Sequence, residues 1–343
     1  MTSNKAVAVY GAYGHTGRFV VSELRRRGWT PVLSGRDPAK LEAFAAEHPG
    51  LESRPASVGD PASLDAALKG AAAIINCAGP FASTAAPLIE AALRARIPYL
   101  DVAAEVEANI DTFTLFADRA REAGMVVVHA MAFFGGLGDL LATAAMGDWT
   151  SADDISIAYG LNSWKPTAGT LVAGQVSRQR RDGRRVVFAG GKIAYVTGTA
   201  PAAEWTFPAP LGKQPVIAEF TMADTVTISR HIHTPEIHSY MTVAAVKDLT
   251  DPDHSAPVAS DDRGRSSQTF VVEVLARRAG EERRAIAKGR DIYAFTAPLV
   301  VEALARVVAG EVRTAGVLTA GEAFDARDFL ASLSPEHLSV EIR

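Results

Sequence analysis

The sequence predicts a chain of α/β class, with a doubly wound parallel sheet followed by an α+β region on a largely antiparallel sheet. Three observations carry that reading. Strand-like and helix-like segments alternate with short loops through the first 147 residues. Three glycines, Gly11, Gly14 and Gly17, stand at three-residue spacing where the first strand meets the first helix. From about Asp153 to Lys288 the helical period gives way to apolar–polar alternation broken by turn residues.

Residues 6–10 are small, β-branched or aromatic and read as a first strand. A helix over 16–27 follows and Gly28 stops it. A second strand covers 30–34, and a helix over 38–47 has Asp37 as N-cap with Pro38 at its first position. Residues 51–56 form a weak third strand, and Asp60 caps a helix over 61–68. The fourth strand, 72–77, is almost wholly apolar. A helix over 83–96, a strand over 99–102, a helix over 106–123 and a sixth strand over 125–129 complete the series. Strands apolar on both faces and joined through helices belong to a parallel sheet covered on both sides, the Rossmann-type arrangement.

In the middle of the chain, residues 178–185, centred on Asp182-Gly183, read as a hairpin. Residues 225–233 and 269–276 alternate at period two and read as strands. The helical signal returns from Thr296. Leu299, Val300, Ala303, Leu304, Val307 and Val308 share one face, Glu302 and Arg306 pair on another, and Gly310 ends the helix. The expected division is a nucleotide-binding domain over 1–147, a β-rich domain over 148–290, and a return segment over 291–343 that packs on the first domain.

The 343 residues are 48% hydrophobic and 22% charged, and the formal net charge is −4, so no global basic field favours nucleic acid. A single cysteine, Cys77, leaves no internal disulfide and fits a reducing cytoplasm. The opening residues hold too short an apolar run for a leader peptide, and no stretch reaches the ~18 apolar residues of a membrane span. A cytoplasmic chain is the expectation.

Glycines between a buried strand and a helix meet the requirement of a dinucleotide fingerprint. Gly11 permits the tight turn, Gly14 lets backbone approach a pyrophosphate, and Gly17 lets helix and strand pack closely. Free N–H groups and the helix dipole then favour phosphate beside Tyr13, His15 and Thr16. The spacing is G-x-x-G-x-x-G rather than G-x-G-x-x-G. At the end of the second strand, where NAD readers carry an acid, this chain has Ser34 and Gly35, then Arg36. Small residues leave room for a 2′-phosphate and a guanidinium suits it, so NADP(H) is the expected cofactor. The fourth strand ends in Asn76, Cys77, Ala78, Gly79, Pro80 and Phe81, placed to border ribose and nicotinamide, with Cys77 read as an inert thiol.

G-A-Y-G-H-T-G-R, S-G-R, N-C-A-G-P-F and Y-L-D-V-A-A-E together resemble the saccharopine dehydrogenase-like reductases, and G-R-D-I-Y-A-F-T-A resembles that family's return segment. The resemblance covers residues 5–140 and 289–330. It implies an NADP-binding Rossmann domain in two segments and a β-rich domain for substrate and homodimer contacts. It also implies reduction of C=N bonds joining amino acids and oxo acids, or of enoyl groups in polyketide lipids. Carried over, Gly11, Gly14, His15, Thr16 and Gly17 hold the pyrophosphate, Arg36 the 2′-phosphate, and Ala78, Gly79 and Pro80 the nicotinamide side. The middle of the chain does not align with the amino-acid-binding residues of saccharopine reductases.

For the chemistry, Asp101 and Glu105 follow the fifth strand on the edge where a pocket opens, with helix capping as the competing role. Phe134 and Gly135, after the sixth strand, are candidates for the substrate wall. His231 and His233 are expected to share one strand face with Tyr240 nearby, suited to substrate contact or proton donation; Pro235 argues against a zinc site with His238 or Glu236. Tyr293 and Thr296 reach the pocket from the return helix. Arg178, Arg180, Arg181, Arg184 and Arg185 cluster around one turn, as a solvated face or a dock for an acidic carrier. The expectation is an NADPH-dependent oxidoreductase acting on a small or carrier-bound metabolite. The rival is an NADP-binding sensor without turnover, kept open by the absence of a triad or a Y-x-x-x-K pair.

Overall fold

The computed structural model describes residues 5–253 and 255–343; the first four residues of the opening run and His254 lie outside it. Six strands open the chain: β1 (Ala6–Tyr10), β2 (Thr30–Gly35), β3 (Ser53–Pro55), β4 (Ala73–Asn76), β5 (Tyr99–Asp101) and β6 (Val126–Val128). The helices between them are α1 (His15–Arg26), α2 (Pro38–Ala46), α3 (Pro61–Leu68), α4 (Phe81–Ala95) and α5 (Val106–Glu122). Asp37 and Asp60 cap α2 and α3 through Lys40 N and Ala62 N, with proline in the first turn of each helix. All pairings in this sheet are parallel, in the order β3-β2-β1-β4-β5-β6. The order reverses between β1 and β4, and the crevice where ligands bind lies beyond the carboxyl ends of these two strands.

A tight turn, Phe133–Leu137, leads into α6 (Gly138–Met146) and then a second sheet. Its members are β7 (Asp154–Leu161), β8 (Arg185–Ala189), β9 (Lys192–Val196), β10 (Ala202–Thr206), β11 (Lys213–Ala218), β12 (Glu236–Thr242), β13 (Thr269–Arg278) and β14 (Glu281–Arg290). Between them run α7 (Ala168–Arg180), α8 (Ala223–His231) and α9 (Val243–Thr250). The pairings are antiparallel except β12 with β7. The chain closes with α10 (Ile292–Val308), β15 (Gly316–Leu318), α11 (Ala320–Ala323), α12 (Ala326–Leu333) and β16 (Leu338–Ile342). Helix α10 lies on α1, and β15 adds a seventh strand to the first sheet beside β6. Strand β16 instead pairs with β14 in the second sheet, so this tail serves both sheets.

Two expectations about the middle of the chain and one about the return segment are corrected. Residues 223–231 form a helix, not a strand. Thr225 and Thr227 are as buried as Val226 and Ile228, because α8 is enclosed by the 133–137 turn, α5, α6 and α11; a helix buried all round shows no amphipathic period. Asp182-Gly183 does not turn a hairpin. It ends α7, with Gly183 N bonded to Arg178 O and φ values of 52° and 69°. The hairpin lies at Gly190-Gly191 between β8 and β9, where both glycines have positive φ. Helix α10 also begins earlier than its apolar face announces, because Asp291 caps Tyr293 N and Ala294 N. No helix among the described residues is long and apolar enough to cross a membrane.

Candidate functional site

The turn from β1 into α1 is built on two glycines that nothing larger can replace. Gly11 has φ +83°, and a Cβ there would meet Ala78 Cβ at 2.9 Å. A Cβ on Gly17 would lie 2.1 Å from Gly11 O. Gly14 is the N-cap of α1; no side chain caps the helix and its first turn holds no acid. The N-terminal amides of α1 therefore face the crevice with the positive end of the helix dipole, the environment a phosphate needs. His15 and Thr16 flank them at the cavity wall. The His15 ring is clamped edge-on between Phe19 and Tyr293; its Nε2 is buried without a partner, and burial draws its pKa down.

At the end of β2, Ser34 is buried behind this turn. Its carbonyl accepts Gly11 N at 2.8 Å, and its hydroxyl donates to Arg54 O at 2.9 Å. The Tyr13 ring lies over Gly35 and its hydroxyl accepts Asp37 N at 3.2 Å. Arg36 is exposed at the cavity rim, and its guanidinium forms no hydrogen bond or ion pair with any described residue. An unpaired fork beside a small residue fits the phosphate that distinguishes NADP from NAD.

The turn after β4 is held from below. Asn76 Oδ1 accepts Ala78 N at 3.0 Å, while its Nδ2 donates to Thr84 and to Tyr99 Oη. Cys77, Ala78, Gly79, Pro80 and Phe81 line the cavity. Burial pushes the Cys77 thiol well up, so it is no nucleophile at neutral pH. Glu105 reaches back to cap α4, accepting Phe81 N at 2.7 Å and Ala82 N at 3.1 Å. It lines the cavity with both oxygens engaged, and burial raises its pKa.

These elements form one side of a cavity of about 890 Å3. The other side comes from the 133–137 turn and from the second sheet with its helices and loops: Phe134, Trp164, Thr170, Ala173, Ile217, Phe220 and Met222, with Tyr293 and Thr296 from α10. Phe134 packs between Tyr159 and Trp164, with centroids at 5.0 and 4.9 Å. Tyr293 Oη accepts Trp164 Nε1 at 3.1 Å and lies 3.0 Å from Thr170 Oγ1, tying the return helix to α7. Thr296 Oγ1 accepts Phe133 N at 3.2 Å.

Several candidates stand elsewhere. Asp101 is fully buried off the cavity. It accepts Ala103 N, Ala130 N and Tyr99 Oη, and burial lifts its pKa to about 6, so its role is to tie the ends of β5 and β6 together. Gly17, Ser34 and Asn76 support the wall without lining it. Gly135 sits behind Phe134 against Ala130. Tyr240 stacks on Trp205 at 4.8 Å on another part of the second sheet, away from the cavity lining. His231 ends α8 and binds Asp139 at 2.6 Å; His233 lies in the following loop, where its carbonyl accepts Ala152 N. Because 223–231 is helical, the two histidines share no strand face and neither lines the cavity. Among the described residues no group of three or more His, Cys, Asp or Glu could hold a metal ion. The sequence reading missed Trp164, Phe220 and Met222, which come from irregular segments with no period to mark them.

Comparison with known proteins bears on the β1–β6 part of this architecture. A family model described as the saccharopine dehydrogenase NADP binding domain matches residues 7–128. A probable mitochondrial saccharopine dehydrogenase-like oxidoreductase of Arabidopsis thaliana is 32% identical over 142 residues, 37% of this chain and 31% of that one. The saccharopine dehydrogenase-like oxidoreductase of Bos taurus is 27% identical over 145 residues, 37% of this chain and 34% of that one. A trans-acting enoyl reductase of Mycobacterium ulcerans is 29% identical over 133 residues, 37% of this chain and 32% of that one. The matched region spans about a third of the length of these curated relatives. Among solved structures, the apo saccharopine dehydrogenase (L-Glu forming) of Saccharomyces cerevisiae superposes with a TM-score of 0.67 at 13% identity, over 99% of this chain and 100% of that one. That likeness shows a shared fold across both sheets.

Proposed function

We propose that this chain, whose residues 7–128 match a model of the saccharopine dehydrogenase NADP binding domain, is an NADPH-dependent oxidoreductase. It reduces a C=N or C=C bond of a small or carrier-bound metabolite. The observation that carries this reading is the continuity of one cavity. It runs from the uncapped start of α1 and Arg36, past the turn after β4, to the aromatic wall of Phe134 and Trp164. The division proposed with it is nucleotide binding by residues 1–147, substrate and dimer contacts by 148–290, and a return segment, 291–343, that packs on the first domain.

The nucleotide, when bound, supplies a hydride from its reduced ring. The chain's residues bind and orient: α1 amides and Thr16 at the pyrophosphate, Arg36 at the 2′-phosphate, Ala78 to Pro80 beside the nicotinamide. Phe134, Trp164 and Phe220 exclude water from the acceptor. Among the described residues that line the cavity, His15 keeps Nε2 without a partner, but burial draws its pKa down and disfavours the protonated ring that would give a proton. Glu105 holds two backbone amides and Tyr293 Oη already meets Trp164 and Thr170. This favours an acceptor whose charge is already in place, as in an iminium, over a ketone or an enoyl group, each of which requires a proton. The same observation supports the second reading, a protein that binds NADP(H) without turnover.

The test is NADPH consumption by the purified chain against imines, enoyl thioesters and ketones. Consumption with at least one of these is expected, and with an imine foremost. Tight NADPH binding with no turnover across the panel would establish the sensor, and no binding would remove both readings.

A further inference from the structure

Helix α7 lies in the chain between β7 and β8, both of the second sheet, yet it packs against α4 and α5 of the first. Thr170, Ala173, Ser177 and Arg181 follow one another at three- and four-residue steps, and this face lines the cavity. Val172, Gln175 and Gln179 on the opposite face are exposed. The helix thus stands between cavity and water, and Ser177 is the residue it buries.

Polar ties hold it down at both ends. At the rear, the Ser177 hydroxyl donates to Glu107 Oε2 on α5, and Arg181 reaches the same carboxylate at 3.7 Å. Glu107 is itself buried, and its Oε1 accepts no hydrogen bond. Arg180 pairs with Asp111, one turn further along α5, at 2.8 Å. At the front, Thr170 Oγ1 lies 3.0 Å from Tyr293 Oη. Between the two ends the helix meets the turn after β4: a Cβ on Gly79 would lie 4.0 Å from Ala173 Cβ.

A helix of this length owes its stability to an apolar face packed on its neighbours. Small and polar residues fill that face here, so α7 lifts away at a lower cost than the sheets beneath it come apart. Its flanks allow the movement. Residues 162–167 before it are irregular, and Asp182-Gly183 after it turn with φ values of 52° and 69°.

We propose that α7 is a strap over the nicotinamide end of the cavity, raised to admit or release the nucleotide and lowered to close it, with Glu107 as its latch. The proposal rests on the nucleotide reading of the cavity and adds a moving part to it. Lowered, the helix sets Ala173 over the turn that borders the nicotinamide and keeps water from the hydride. Tyr293 joins this closure to the nucleotide, because its hydroxyl meets the front of the helix and its ring stands edge-on to His15 at the start of α1.

The experiment is hydrogen exchange of the full chain, read by mass spectrometry on α7 with α5 as internal standard. In the free chain the α7 amides exchange about 100-fold faster than those of α5, and saturation with NADP+ slows them about tenfold or more. Ser177→Ala speeds α7 about threefold or more and leaves α5 as it was. In stopped-flow titration the same variant raises the NADP+ association and dissociation rates together, as a gate does; a lost ligand contact raises dissociation alone. Gly79→Cys with Ala173→Cys, made with Cys77→Ser so that one pair alone can form, meets the about 3.5–4.5 Å between Cβ atoms that a disulfide needs. Closing that disulfide slows α7 exchange about tenfold or more, and dithiothreitol restores it in the same sample. Exchange of α7 as slow as that of α5 in the free chain, a rise in dissociation alone in Ser177→Ala, or exchange unchanged by the disulfide overturns the strap and leaves the nucleotide reading standing. If NADP+ does not bind the parent chain, the nucleotide reading fails, and α7 exchange with the disulfide open and closed still decides whether the helix moves.

Discussion

The carboxylate of Glu105 accepts the backbone amide of Phe81 at 2.7 Å across 24 residues of sequence, and that of Ala82 at 3.1 Å. The N-cap position of α4 is Pro80, whose side chain has no hydrogen-bond acceptor, so the cap is supplied from the start of the next helix. Glu105→Gln replaces one of the two acceptor oxygens with a donor facing an amide. A loss of about 1–3 kcal/mol in unfolding free energy is expected from denaturant titration. A change below about 0.3 kcal/mol would show that the cap is dispensable.

Arg36→Ala tests the cofactor assignment. Removing a guanidinium that meets the 2′-phosphate should weaken NADPH by about 10–100-fold, the value of one or two charge-assisted hydrogen bonds. NADH, which lacks that phosphate, should change by less than about threefold. Fluorescence titration of both nucleotides reads the ratio, and equal weakening contradicts the assignment.

Tyr293→Phe separates positioning from proton transfer. The hydroxyl is held by Trp164 and Thr170, and the ring backs His15. Its loss should cost about 1–2 kcal/mol in stability, with turnover reduced by less than about tenfold. A fall of about 10²–10⁴ in kcat, with KM unchanged, is what a proton donor would produce.

Asp224 gives a pH-dependent prediction. It is fully buried on α8, its Oδ2 has no partner, and burial lifts its pKa to about 7. The folded chain therefore holds this proton over a pH range in which the unfolded chain has released it. The stability this contributes is complete below about pH 4 and is lost as pH rises toward 7. Asp224→Asn cannot ionise, so its stability relative to the parent should rise between pH 4 and 8. Thermal unfolding of both chains across that range checks the sign, and parallel curves would contradict it.

The first half of the chain was legible because its signals are local. Asp37 and Asp60 stand where their helices begin, and the strands are apolar runs that the sheet buries on both faces. The glycine turn between β1 and α1 was legible for the same reason. The wall of the cavity beyond the first sheet was not. Helix α7 buries only Ser177 strongly, so its apolar pattern is thin and its Asp-Gly end reads as a hairpin. Helix α8 hides its period by being enclosed. The bond between Ser177 and Glu107 joins residues 70 apart, and nothing in either neighbourhood announces it. The aromatic wall depends on loops whose course is set by the second sheet.

The placement of β15 bears on how the protein comes off the ribosome. Strand β6 ends at Val128, but its outer neighbour, Gly316–Leu318, is translated some 190 residues later. At about 5–20 residues per second, the β6 side of the nascent first sheet waits roughly 10–40 s for its final partner. Through that interval its unpaired amides and carbonyls are a template for any extended chain nearby. A nascent product released before Gly316 would keep that template permanently, and it should accumulate as aggregate rather than as a smaller nucleotide-binding protein.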